Sequence, residues 1–213
     1  MEMNEMIEKE TNLMKNSKTL ADYFSDQLNL ISDPVIRDFL TKYLQNEAKF
    51  VMEKPTSSSG KYHPEWQNGY CGNGIHTKNV VKILKVFNRA YPQLYWDEMY
   101  ASAILHDLSK YNSSQDAHTN PCHPVVESQI FWERYKDAAK ENKYLRRYKK
   151  SFKLIKHLIL WHDGRFNCTF ADKDKIAKNY VKGLNLKMKY QEAHLLHLAD
   201  MISTNRELWS ELI

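Results

Sequence analysis

Apolar residues along this chain recur every three or four positions and do not alternate over any length. That is the spacing of a buried helix face, not of a strand. It predicts helices over 18–30, 33–51, 75–91, 95–110, 124–141, 145–162, 172–182 and 188–210, and an all-α fold. Asp33-Pro34 supplies an N-cap followed by proline at the first helical position. Gly164 falls just past the 145–162 segment, where a helix-ending glycine is expected. The 95–110 segment is apolar on nearly every side (Met99, Ala101, Ala103, Ile104, Leu105, Leu108) and reads as a buried central helix. The stretch from Lys54 to Gly74 breaks the pattern with Ser57-Ser58-Ser59-Gly60, then Lys61, His63, Trp66 and three more glycines. It reads as a substrate-facing loop, with Tyr62, Trp66 and Tyr70 the candidates for stacking on a base.

With 213 residues, 42% hydrophobic and 27% charged, the chain is long enough to bury a real core as one domain. Its longest apolar runs, such as Leu158-Ile159-Leu160-Trp161, are far below the roughly 20 residues that span a bilayer. Residues 1–15 mix Glu, Asn and Lys with Met, Ile and Leu and lack an apolar signal core, so a cytoplasmic protein without a membrane partner is expected. Cys71, Cys122 and Cys168 are odd in number and far apart, which argues against a disulfide framework or a zinc knuckle. The net charge of +5 is too mild to name a partner. Its distribution says more: between Lys140 and Lys156 eight basic residues accompany Glu141 alone, and a second lysine-rich run spans Lys173 to Lys189. Such a stripe either attracts a polyanion or forms a solvated helix face.

The placement of histidine and aspartate carries the chemistry. His76 shares a face with Val80, Ile83 and Phe87 and should point inward. His106-Asp107 sits near the end of the central apolar helix. A buried carboxylate beside a buried imidazole is costly unless both have partners, and a divalent cation satisfies both. Lys110, one turn after His106, could meet an anion held by that ion. His123 precedes Pro124 and should open the next helix. His162 lies on one face with Ile155 and Ile159. Asp200 falls between Leu198-Ala199 and Met201-Ile202, on a stripe with Ala193, His197 and Thr204. Singly, each is more often a hydrogen-bonded core residue than a ligand; four such cases in one small helical chain are harder to explain that way.

His76, His106-Asp107 and Asp200 resemble the H…HD…D signature of the HD superfamily of metal-dependent phosphohydrolases. Ala103-Ile104-Leu105-His106-Asp107-Leu108-Ser109-Lys110 is similar to its most diagnostic segment. His123 and His162 resemble the additional ligands of its two-metal branch. The segments Ile31–Phe50, His63-Pro64-Glu65, Tyr91–Leu94, Lys156–Gly164 and Glu192–Asp200 resemble, more narrowly, the HD domain of bacterial 3′–5′ exoribonucleases.

The resemblance implies a compact HD bundle of about seven to nine helices, with residues 1–24 a helical extension and 25–213 the HD domain. It implies metal ligands His76, His106, Asp107, His123, His162 and Asp200, with Asp107 bridging one or two divalent ions. An imidazole-rich set favours Mn, Fe, Co, Ni or Zn. Asp107, Lys110 and Arg165 become the catalytic candidates, and Lys61 and His63 join Lys110 and Arg165 as substrate contacts. His157 and His197 are either ligand-orienting groups or ordinary core histidines, and His118 and His194 have no assigned role. The chain departs from the exoribonucleases in its closer Gly74-Ile75-His76 spacing, in His162-Asp163 where they pair histidines, and in having little chain where they carry an OB-type domain. A nucleotide or short single-stranded oligonucleotide is therefore the expected substrate. A 5′-nucleotidase, a nucleotide pyrophosphohydrolase and a non-catalytic nucleotide-binding HD module are the alternatives; the oligomeric state stays open.

Overall fold

The computed structural model describes residues 3–60, 63–164 and 190–205. The described residues form helices joined by turns and loops, without a strand, as the spacing predicts. Helix α1 (Met3–Asn16) is fastened by Glu10, whose carboxylate accepts from Lys78 Nζ at 2.7 Å and Tyr23 Oη at 3.1 Å. The predicted 18–30 helix is two short ones, α2 (Leu20–Tyr23) and α3 (Ser25–Leu28). A capping box between Thr19 and Asp22 starts the first, and the backbone bends at the fully buried Phe24. The predicted 33–51 helix is likewise divided into α4 (Pro34–Gln45) and α5 (Phe50–Glu53). Asp33 caps α4 as expected, accepting from the Val35 and Ile36 amides.

The polar loop after α5 contains one 3₁₀ turn (Glu65–Gln67) and leads into α6 (Gly72–Ala90). That helix starts three residues before the apolar spacing begins, because Gly72 lets the backbones touch: a Cβ there would lie 2.0 Å from the Gln67 carbonyl oxygen. Helix α7 (Trp96–Leu105) is buried along almost its whole length. Asp97 ties its start to that of α4, accepting from the Ser32 and Asp33 amides, each at 2.8 Å. It stops well before residue 110, the expected end; the chain continues as tight turns, with Leu108 N bonded to Leu105 O and Lys110 N to Asp107 O. No glycine or proline enforces this stop. Tertiary bonds hold it: Asn73 Nδ2 to Asp107 O, and Ser109 Oγ to the Glu127 carboxylate.

Helix α8 (His123–Glu141) and a 3₁₀ turn (Leu145–Tyr148) precede α9 (Lys149–Trp161), and α10 covers Gln191–Thr204. The predicted 172–182 helix, like Lys61, Tyr62, Arg165 and Cys168, lies outside the described residues. Central α7 packs between α6 and α9, α8 lies on α9, and α10 crosses α6. Phe39, Phe131, Tyr135 and Phe152 knit α4, α8 and α9 together, with ring centroids 4.4–6.4 Å apart. Among the described residues no helix is long and apolar enough to cross a membrane.

Candidate metal centre

Helix ends bring the functional side chains together. His76 stands in the first turns of α6, His106 caps the C-terminus of α7, and Asp107 occupies the turn that follows. His123 opens α8, His162 caps α9, and Asp200 comes from the last turns of α10. At the end of α9, Gly164 takes a left-handed conformation (φ +59°) as its position suggests, and its bare Cα leaves room for the His197 ring. His197 Nδ1 donates to the His162 carbonyl at 2.6 Å, so this histidine braces a neighbouring segment of the centre. His157 instead packs against Trp161 and Tyr190, and His118 and His194 are exposed.

The histidines form two facing pairs. His76 Nε2 and His106 Nε2 are 3.3 Å apart; His123 Nε2 and His162 Nε2 are 3.1 Å apart. Asp107 lies between the pairs and offers one oxygen to each. Its Oδ2 is 3.6 Å from His76 Nε2 and 3.5 Å from His106 Nε2, and its Oδ1 is 2.9 Å from His123 Nε2 and 3.7 Å from His162 Nε2. Asp200 Oδ1 closes the first pair at 3.0 Å from His76 Nε2.

The opposite ring nitrogens explain why the Nε2 atoms can face one another. Nδ1 of His106 donates to Ala103 O, of His123 to Asn120 O and of His162 to Ile159 O, at 2.7–2.8 Å. His76 Nδ1 donates at 2.9 Å to Ser203 Oγ, whose own proton goes to Asp200 O. In the neutral ring each proton is thereby committed at Nδ1, and Nε2 presents a lone pair. Two lone pairs at 3.1–3.3 Å repel unless a cation stands between them, and the ~2.0–2.1 Å reach of imidazole nitrogen to such an ion fits those gaps. The donor set therefore fits divalent metal, in groups His76–His106–Asp200 and Asp107–His123–His162.

The HD domain family model matches residues 73–205, well over half of the chain. The chain belongs to the HD domain family. Its family is one of metal-dependent phosphohydrolases, and the matched segment contains all six converging residues. Searches among curated proteins and among solved structures returned no match.

Electrostatics in the HD centre follow from burial opposed by charge. Burial lowers the His76 and His106 pKa below the ordinary imidazole value, favouring the neutral rings that ligation requires. Burial also acts to raise the Asp107 carboxyl, but Lys110, His106 and His123 outweigh it and hold the acid well below the usual range. Asp200 is likewise depressed, burial being overcome by the hydrogen bond and charges of His76, His106 and His162. Burial pulls His123 down, yet Asp107, which can accept from Nε2–H of the charged ring, and the Asp163 charge leave it raised.

Lys110 reaches into the HD centre. Its Nζ sits 2.6 Å from Asp107 Oδ2, and although burial disfavours the ammonium, Asp107, Asp200 and Asp163 keep its pKa above the ordinary lysine value. His63 comes from the polar loop, its ring edge-on to His76 at 5.3 Å, with Nδ1 3.0 Å from Gln67 Oε1. Burial first, then His76 and Lys110, push its pKa down to about 3. Lys61 and Arg165, the remaining predicted contacts, lie outside the described residues.

Sequence reasoning missed four participants. Ser203 sets the His76 ring, and Gln67 links His63 to the Ser203 carbonyl through Nε2 at 3.0 Å. Asp163 has its carboxylate 3.5 Å from His162 Nε2 and 3.9 Å from His123 Nε2, and joins His162 and Asp200 in a third possible donor group. Glu127, through Ser109, braces the turn that carries Asp107. Only Asp163 carried a signal, its adjacency to His162.

Proposed function

We propose that this HD centre hydrolyses a phosphate ester bond in a nucleotide or short single-stranded oligonucleotide, using two divalent transition-metal ions. The observation that carries the reading is Asp107, with one carboxylate oxygen turned to each of two imidazole pairs. His76, His106, Asp107 and Asp200 would hold one ion, and Asp107, His123 and His162 the other, with Asp163 within reach of the second. When bound, such a pair supplies an acidified water and positive charge for the phosphoryl oxygens.

The protein's own groups do the rest. The Nδ1 bonds to Ala103 O, Asn120 O, Ile159 O and Ser203 Oγ hold every ring in one tautomer and orientation. Lys110 keeps a full positive charge beside Asp107 and would neutralise charge gathering on the phosphate during bond cleavage. His63, neutral and with Nδ1 turned to Gln67, offers Nε2 as an acceptor for a substrate hydroxyl. Arg165 would add a bidentate phosphate contact and Lys61 a further cation. The segments that resemble exoribonuclease HD domains support cleavage at the end of a short strand.

The test is a substrate panel with manganese: nucleoside mono- and triphosphates, dinucleotides, cyclic oligonucleotides and short RNA. Release of nucleotide from dinucleotides or short RNA is the expected result. Phosphate release from mononucleotides alone would make the protein a nucleotidase, pyrophosphate release from triphosphates a pyrophosphohydrolase. Tight nucleotide binding without turnover in fully metallated protein would make it a binding module.

A further inference from the structure

A cleft with charged and aromatic residues in its lining stands at the other end of the helices that carry the metal centre. Helices α7 and α9 pack side by side, and both end in metal-centre histidines, His106 and His162. Their opposite ends line an open cleft of about 620 Å³, completed by Tyr190 ahead of α10. Lys150 stands twelve residues before His162, about 18 Å along the helix axis. The cleft is therefore separate from the HD centre, and its volume suits a nucleotide-sized ligand.

Three features define its chemistry. Arg147, Lys150 and Lys153, all exposed, place three cations along one wall. Tyr95 and Tyr190 keep 60% and 41% of their surface exposed, although their rings could cover a flat apolar partner. Glu98, in the first turn of α7, is only 7% exposed yet lines the same cleft. Among the described residues its carboxylate has neither a hydrogen bond nor an ion pair; Ser102 Oγ donates instead to the Glu98 backbone carbonyl. The small surface that Glu98 keeps opens into the cleft, where its carboxylate can accept donors from a bound ligand.

We infer that this cleft binds a guanosine di- or triphosphate. Guanine alone among the bases sets two adjacent donors, N1–H and the N2 amino group, on one edge, where a carboxylate can accept both. Adenine and cytosine put a ring acceptor beside their amino group, and uracil flanks its single donor with two carbonyls; each would oppose Glu98. The tyrosines supply stacking surface for the base, and the three cations match two or more phosphates.

Calorimetric titration of the whole protein in EDTA, which removes ions from the HD centre, tests this with GDP, ADP, UDP and inorganic pyrophosphate. GDP should bind at least about tenfold more tightly than ADP or UDP, about 1.4 kcal/mol. Glu98→Gln should bring GDP down to the ADP level while leaving pyrophosphate binding unchanged. Lys153→Glu, on the exposed wall, should weaken all four ligands. Equal affinity for GDP and ADP, GDP binding indifferent to both substitutions, or no binding of GDP near ~1 mM would each overturn the assignment.

Discussion

Asp107 and Glu127 are both fully interior carboxyl groups, 1% and 2% exposed, and they flank the same turn. Ser109, two residues past Asp107, donates to Glu127 at 2.6 Å, and Tyr43 donates to it at 2.7 Å. Yet the two acids are driven in opposite directions. Around Glu127 the partners are neutral hydroxyls, burial prevails, and its pKa is pushed up to about 7. Around Asp107 stand an ammonium and the imidazoles, and its pKa falls well below the ordinary carboxylate value despite equal burial. Burial alone makes a carboxyl hold its proton; only a surrounding ready for cations keeps it ionised. The same contrast separates chemistry from support: Asp107 faces the groups that can hold metal, while Glu127 secures the backbone that delivers it.

Four substitutions would break or sharpen that contrast. The largest effect is expected from Asp107→Ala, which removes the carboxylate whose two oxygens face the two histidine pairs. Turnover should drop on the order of a thousandfold or more, with the melting temperature measured in parallel to separate loss of the site from loss of the fold. A variant that still turned over within tenfold of wild type would remove Asp107 from the mechanism.

Glu127→Gln should act through stability instead. A carboxyl whose folded pKa lies above its unfolded value, near 4.5, stabilises the fold fully below that unfolded value and loses this contribution as pH rises through about 7. The shift corresponds to about 3 kcal/mol at 1.4 kcal/mol per unit. Wild type should lose that much between pH 4 and pH 8 in urea titrations, over a window the permanently neutral glutamine variant does not feel. Parallel pH profiles for the two proteins would refute the account of Glu127.

Lys110→Ala, next in size, should leave metal bound while lowering the rate by roughly a hundredfold, as expected for one charge that meets the phosphate. An unchanged rate takes Lys110 out of the site. Ser203→Ala is expected to be mildest: without an acceptor for its Nδ1 proton, His76 loses its fixed tautomer. Metal affinity, read by chelator competition, should fall by about tenfold. No change there would mean that the ring is held by packing alone.

What could be read from sequence, and what could not, follows from the range of the interactions. Helical spacing turns His76 and Asp200 inward, and the chain brings them to the same point as His106, Asp107, His123 and His162. The Asp33 cap and the left-handed Gly164 are set by neighbours within a few residues, and both were legible. The end of α7 at Leu105 was not. Its segment reads as an unbroken helix, and the turn is held by Asn73 and Glu127, which are remote in sequence. Ser203 is 127 residues from His76, and no local pattern marks a serine as an imidazole's partner. The basic stripe from Lys140 to Lys156 was visible only as charge. In the fold it divides: Lys140 pairs with Asp137, Arg146 bonds to the carbonyls ending α8, and Arg147, Lys150 and Lys153 line the cleft beside Glu98.

The most direct test of the central claim is metal stoichiometry, by mass spectrometry of untagged protein saturated with manganese and desalted, for wild type beside Asp107→Asn. The proposed two-metal function predicts two ions per wild-type chain and depletion of both sites in the variant, since each pair loses its share of the same carboxylate. Two ions retained by the variant, or none bound by wild type, would contradict the reading of Asp107 as the bridge between two metal positions.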